Sequence, residues 1–201
     1  MTSIRHMYLR LLSAHRTTGV LEAGTLRLPC AVGGGGVSAL KREGDGATPA
    51  GRFDLVEVRY RADRVRRPAS PFPTRPSARR DGWCDAAGDR SYNRPVRLPY
   101  RASAESMWRD DGVYDVVVVL SHNQRPRKQG AGSAVFMHLA RPEFAPTAGC
   151  IALRQRDLLL LLSRLSRRAR IVTTAPRRRI AAGQNGTSPM TAVRSMRRRS
   201  G

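Results

Sequence analysis

The sequence predicts a mainly β domain with short helices, and three observations carry that reading. Short runs of strand-forming residues recur along the chain, as in Phe53–Tyr60, Val116–Leu120 and Val135–Leu139. Gly and Pro punctuate the backbone between such runs, as at Pro142, Pro146 and Gly149. Against these, residues 157–168 place Leu158, Leu161, Leu162 and Leu165 at i, i+3, i+4 and i+7, the spacing of an amphipathic helix packed on a domain.

Taken in order, residues 1–23 form an N-terminal segment, Arg/His-rich with a few leucines, with room for a short helix or strand ahead of a domain at 24–175. Thr25–Val32 alternates at first as a half-buried strand does. Gly33–Gly36 ends it. That run lacks the Gly-Lys-Ser/Thr ending of a phosphate loop and no helical pattern follows, so it reads as a flexible turn. Phe53–Tyr60 is a strand entered through Pro49 and Gly51, with Phe53, Leu55 and, less strictly, Val56 and Val58 toward a core, and residues 61–80, rich in Pro and Arg without periodicity, are a surface excursion. Trp83, Tyr92 and Asn93 lie in aromatic, turn-rich segments of the kind that line clefts. Ala102–Arg109 fits a short helix with Ser103 as N-cap. The continuous β-branched run to Leu120 is a buried strand, and Ser121, His122 and Asn123 emerge at its end. The leucine-rich helix at 157–168 leads to a closing strand at 170–174. Residues 176–201 hold seven arginines and no acid, the composition of a disordered basic tail.

The chain has 201 residues, enough for one domain with a real core. Its 37 Lys+Arg against 15 Asp+Glu give a formal net charge of +22, and Lys41 and Lys128 are its two lysines. Such a balance attracts polyanions, whether nucleic acid or an anionic membrane, and the tail is the segment placed to make weak contact with them. The charge is spread rather than striped, which fits a solvated arginine-rich surface equally well. A basic nucleic-acid-binding protein is therefore the alternative of another class, although no zinc-finger, helix-turn-helix or RNP-like pattern is present. No apolar run approaches the ~20 residues of a membrane span. The leucines near the N-terminus are broken by Arg10 and His15, a poor secretory signal.

Chemistry is concentrated in residues 134–153, where His138 and Cys150 each sit in a short apolar run. A thiol of ordinary pKa near ~8.5 is mostly protonated at neutral pH, so a nucleophilic cysteine needs a neighbouring base. His138 is the nearest in sequence, and Gly149 lets a substrate carbonyl approach the backbone, where the N–H groups of Gly149 and Cys150 are placed to hold an oxyanion. The competing thiol, Cys84, has neither a glycine turn nor a nearby histidine. In a papain-like order the cysteine precedes the histidine, and no histidine follows Cys150. Three cysteines cannot all pair; Cys30 and Cys84 read as buried thiols rather than a bridge. A metal site on His122, His138 and Cys150 is conceivable, but no metal and no cofactor is expected.

The pattern His138, then Thr147-Ala148-Gly149-Cys150-Ile151-Ala152-Leu153, resembles the signature of the L,D-transpeptidase catalytic domain, the YkuD-like family. The segment Thr48-Pro49-Ala50-Gly51-Arg52-Phe53 is similar to the family's second motif, Thr-Pro-x-Gly-x-Phe. The resemblance covers residues 24–175 and implies a YkuD-like β-sandwich or flattened barrel with a helix after the catalytic strand. It implies attack by Cys150 on the carbonyl of the third residue of a peptidoglycan stem, release of D-alanine, and transfer of the thioester to an acceptor amine, or to water in an L,D-carboxypeptidase. His138 acts as base and then acid, steered by the carbonyl of Leu139, with Gly149 and Ala148 supplying backbone contacts. Thr147, Asn123, Trp83, Tyr92, Arg141 and Arg154 are the substrate-binding candidates. Two departures mark a divergent branch: the family's arginine is Ala152, its contact falling to Arg141 or Arg154 or being absent, and its glycine after the histidine is Leu139. The family's polymer lies in the cell envelope, while the N-terminus leaves a cytoplasmic location open.

Overall fold

The computed structural model describes residues 3–11, 13 and 17–175. The strands are β1 (Ile4–Leu11), β2 (Thr18–Ala23), β3 (Leu26–Ala31), β4 (Val37–Ser38), β5 (Thr48–Pro49), β6 (Gly51–Tyr60) and β7 (Thr74–Pro76). They continue as β8 (Asp81–Cys84), β9 (Arg94–Arg97), β10 (Ala104–Ser106), β11 (Val116–Leu120), β12 (Phe136–Leu139), β13 (Ile151–Leu153) and β14 (Leu165–Thr173), with helix α1 (Gln155–Arg164) between the last two. The main sheet runs β11-β12-β13-β3-β2-β1-β14-β6-β7, and β11 also pairs with β6, so the sheet closes on itself as a flattened barrel. Closure leaves few open edges.

Alternation along the strands separates two apolar layers. Val116, Val118 and Leu120 point into the barrel with Met137, Leu139, Ile151 and Leu153. Val117, Val119 and Phe136 point outward into a second layer with Trp83, Met107, Tyr114 and Cys150, beneath the small sheet β10-β8-β9. All five residues of β11 are buried, which is why this strand is a continuous β-branched run rather than an alternating one. From α1, Leu158, Leu161 and Leu162 enter the barrel core.

Three expectations change. The first 23 residues supply β1 and β2, which lie between β3 and β14 in the ring rather than ahead of the domain. Their alternation was present but masked by charge: Met7 and Leu9 are buried while His6, Tyr8 and Arg10 face out. The helix ends at Arg164, because Leu165 pairs with Ile4 of β1 and begins β14. Residues 104–106 form β10, not a helix; Ala104, Glu105 and Ser106 pair with Cys84, Trp83 and Gly82 of β8. Their backbone groups are satisfied across the small sheet, a tertiary demand that overrides local propensity. The basic tail at 176–201 lies outside the described residues.

Candidate active site

β12 positions the histidine. Met137 and Leu139 point into the barrel, so His138 between them points into the outer layer, buried, with Tyr114 edge-on at 5.3 Å. Its neighbours across the sheet are Val117 of β11 and Ala152 of β13. A carbonyl can only accept, so the 2.9 Å contact between Nδ1 and Leu139 O fixes the proton on Nδ1 and leaves Nε2 as the basic nitrogen.

Cys150 precedes β13 on the same outer face and is 7% exposed. Phe136 N–H donates to Sγ at 3.4 Å, and the thiol donates to Ala134 O at 3.2 Å rather than to His138. The carbonyl of Cys150 accepts from two threonine hydroxyls, Thr147 at 2.7 Å and Thr48 at 3.4 Å. Thr48 belongs to the upstream motif, so the two motifs of the sequence meet at this residue. Gly149 makes the junction possible. It has φ +133°, and a Cβ there would stand 2.8 Å from Ala47 O, inside contact distance with backbone that cannot move away.

The glycine run 33–36 is a turn, closed by Gly36 N–H donating to Gly33 O at 2.8 Å, but it is held from both sides rather than loose. Gly33 N–H donates to Thr48 Oγ1 and Gly34 N–H to Thr147 O, each at 2.9 Å. Gly33 and Gly35 are the two positions where a Cβ would meet backbone, at 2.2 Å from Gly46 O and 2.7 Å from Asp45 O, so a glycine run here permits close backbone approach.

Cys150 and His138 line one cleft of about 460 Å³. Burial, with the charge of Glu105 adding to it, pushes the Cys150 thiol up to about 12. Burial likewise pulls the His138 imidazole down to about 4, reinforced by Arg141 and Arg109 against the Leu139 carbonyl. The pair therefore rests as a neutral thiol and a neutral imidazole.

The expected residues divide. Thr147, Ala148, Gly149 and Arg141 line the cleft. Gly149 N–H is donated to Thr147 Oγ1 at 3.1 Å, whereas no acceptor among the described residues engages the N–H of Ala148 or Cys150. Trp83 lies behind the cleft, edge-on to Phe136 at 5.1 Å, with Nε1–H donated to Asn93 Oδ1. Tyr92 is buried and donates to Glu43, and the Asn93 amide donates to the carbonyls of His122 and Asn123. Asn123 ties the Lys128 and Gly132 carbonyls together. These three are packing groups outside the cleft lining. Arg154 stacks on Phe144 at 5.2 Å, away from the cleft. Cys84 is wholly buried in β8, and all three cysteines are unpaired. His122 is bonded to Ala131 O at 3.0 Å.

Of the two departures, Leu139 turns its side chain into the barrel core and leaves the cleft unobstructed. Ala152 lies in the sheet beside His138, while the guanidinium groups of Arg141 and Arg109 border the cleft. Sequence reading missed Lys41, Asp85, Glu105, Arg109, Tyr114 and Ser133, which share this lining. They come from five separate segments, and no spacing connects them.

No curated protein and no solved structure matches the chain. The family model for the L,D-transpeptidase catalytic domain, YkuD, does match, over residues 11–173. With that match spanning most of its length, and with a closed β fold and one short helix to go with it, this chain belongs to the YkuD family of L,D-transpeptidase catalytic domains.

Proposed function

We propose that the protein is a cysteine-dependent acyltransferase of peptidoglycan stem peptides, an L,D-transpeptidase, with Cys150 as nucleophile and His138 as general base and acid. The observation that carries this reading is the shared cleft: one thiol and one imidazole border it, and the imidazole is held with Nε2 free by Leu139 O.

Rotation of Cys150 away from Ala134 O lets Sγ give its proton to Nε2 as it attacks the carbonyl of the stem's third residue. In this reading the N–H groups of Ala148 and Cys150, which no acceptor engages among the described residues, receive the oxyanion. Collapse returns the proton from His138 to the departing amine of D-alanine and leaves a thioester on Cys150. An acceptor amine gives up a proton to His138 as it attacks the thioester, and the thiol is restored. Water in place of the amine makes the same protein an L,D-carboxypeptidase. The substrate places the reaction in the cell envelope. Among the described residues no helix is long and apolar enough to cross a membrane.

Incubation of purified protein with muropeptides, read by mass spectrometry, tests the proposal. The expected products are free D-alanine with a new crosslinked dimer, or with a trimmed tripeptide. Intact muropeptides after incubation with folded protein would overturn it.

A further inference from the structure

A second cavity, of about 250 Å³, opens between β9 and the loop that follows β11. Its cationic wall is Arg94, Arg125 and Arg127, with Trp83 and Gln124 beside them, and it shares no lining residue with the Cys150 cleft. In a chain with 37 Lys+Arg against 15 Asp+Glu, the acids are shared out: Glu57 holds Arg59 and Arg75, and Asp111 holds Arg109 and Arg141. No Asp or Glu lines the second cavity. Among the described residues, none of its three arginines forms an ion pair or donates a side-chain hydrogen bond.

The three groups are held in place by the asparagines beside them. The Asn93 amide donates to His122 O and Asn123 O, at 3.0 and 2.9 Å, which pins the start of β9 to the loop. Asn123 closes the loop on itself, donating to Lys128 O and accepting from Lys128 N–H, each at 2.8 Å. Arg94 and Arg125 reach the cavity from the exposed side, while Arg127 is half-buried and its Nε is closed to solvent without a partner. Desolvation, and after it the charge of Arg94, pulls the Arg127 guanidinium down from its ordinary value. Like charges set in one frame without a counter-ion repel.

A buried donor left without an acceptor is costly, and a ligand that brings acceptor oxygens relieves that cost. The cavity, at about 250 Å³, is several times the roughly 30 Å³ of one water in the liquid, so it has room for a polyatomic anion. Three cations call for more than one negative charge, which a phosphate group carries near neutral pH and a carboxylate does not. Its oxygens also suit the planar donor forks of arginine.

We infer that Arg94, Arg125 and Arg127 form a phosphate site, separate from the catalytic cleft, that takes inorganic phosphate or the phosphoryl group of an organic ester. The assignment stands whether or not Cys150 performs acyl transfer.

Calorimetric titration of the full chain with inorganic phosphate, glycerol 3-phosphate and acetate, in a buffer without other multivalent anions, tests the site. One saturable phosphate equivalent is expected, bound about tenfold or more tighter than acetate. Arg94→Gln and Arg127→Gln should each weaken phosphate binding about tenfold or more, while Arg167→Gln, on the exposed face of β14, leaves it unchanged. Arg127 has no partner to lose, so Arg127→Gln should keep the wild-type urea midpoint in phosphate-free buffer; the exposed Arg94 supplies a second variant whose fold is not at stake. Tighter glycerol 3-phosphate assigns the site to an ester, tighter inorganic phosphate to the free ion. No saturable binding, acetate bound as tightly as phosphate, wild-type affinity in the Arg94→Gln/Arg127→Gln double variant, or equal weakening by Arg167→Gln overturns the site.

Discussion

At the residue scale the decisive feature is the proton on His138 Nδ1. Leu139 O holds it there, and the imidazole, pulled down to about 4 by burial, is neutral and basic at Nε2 across the physiological range. If His138 is the base, kcat/KM rises with pH through about 4 and stays level from about pH 5 to 7. A stopped-assay profile with a stem tetrapeptide checks this, and an acid limb centred near 6.5 would contradict it. Arg141→Ala removes a positive charge that opposes imidazolium, so its acid limb should move to higher pH. Gly149→Ala puts a methyl against Ala47 O at φ +133°. A loss of about 1–3 kcal/mol in denaturant unfolding, with loss of turnover, is expected. At this scale the meeting of Cys150, His138 and Gly149 in one cleft was legible, because they belong to short contiguous motifs, and the contact of His138 with the Leu139 carbonyl was an expectation of the family resemblance. Asp85 and Glu105 were not, since their relation to Cys150 exists only after β8 and β10 pair.

At the scale of elements, β12 serves two layers at once: Met137 and Leu139 enter the barrel core, while Phe136 packs in the outer layer. The Phe136 ring packs edge-on against Trp83 and Tyr114, at 5.1 and 6.0 Å, while its N–H donates to the Cys150 sulfur. Phe136→Ala should cost about 3–5 kcal/mol in chemical denaturation and loosen Cys150, lowering kcat more than it changes KM. Wild-type kcat in a destabilised variant would show that the outer layer does not position the sulfur. The β-branched β11 was readable because its run is unmixed, whereas β6 alternates only in its first half: Val56 faces solvent, and Val58, Arg59 and Tyr60 are all buried. The change at Leu165 was hidden: the residue satisfies the i+7 position of α1 and the inward position of β14 alike. Only the pairing with β1 decides between them.

For the whole molecule, closure of the barrel places buried titratable groups where acid finds them. His138 falls from an ordinary 6.5 to about 4 in the fold, and burial lowers His122 as well. The unfolded chain therefore binds more protons between those values. The stability contributed by neutral His138 is complete above about pH 6.5 and declines as pH falls toward 4, by on the order of 3 kcal/mol. Urea midpoints measured from pH 7 to 4 should show a shallower decline in His138→Gln than in the wild type; parallel curves would contradict the assignment. The closed sheet was only partly legible, since β1 and β2 hold a regular inward set, Met7, Leu9, Leu21 and Ala23, that in β1 is interleaved with the outward Arg5 and Arg10.

The proposed acyl transfer requires a covalent bond at one sulfur atom, that of Cys150. Brief mixing of the intact protein with a stem tetrapeptide, followed by acid quench and whole-protein mass measurement, reads that bond directly. The predicted result is an adduct of the stem minus its terminal D-alanine, mapped to Cys150 and absent from Cys150→Ala. Release of D-alanine by folded Cys150→Ala at the wild-type rate would contradict it.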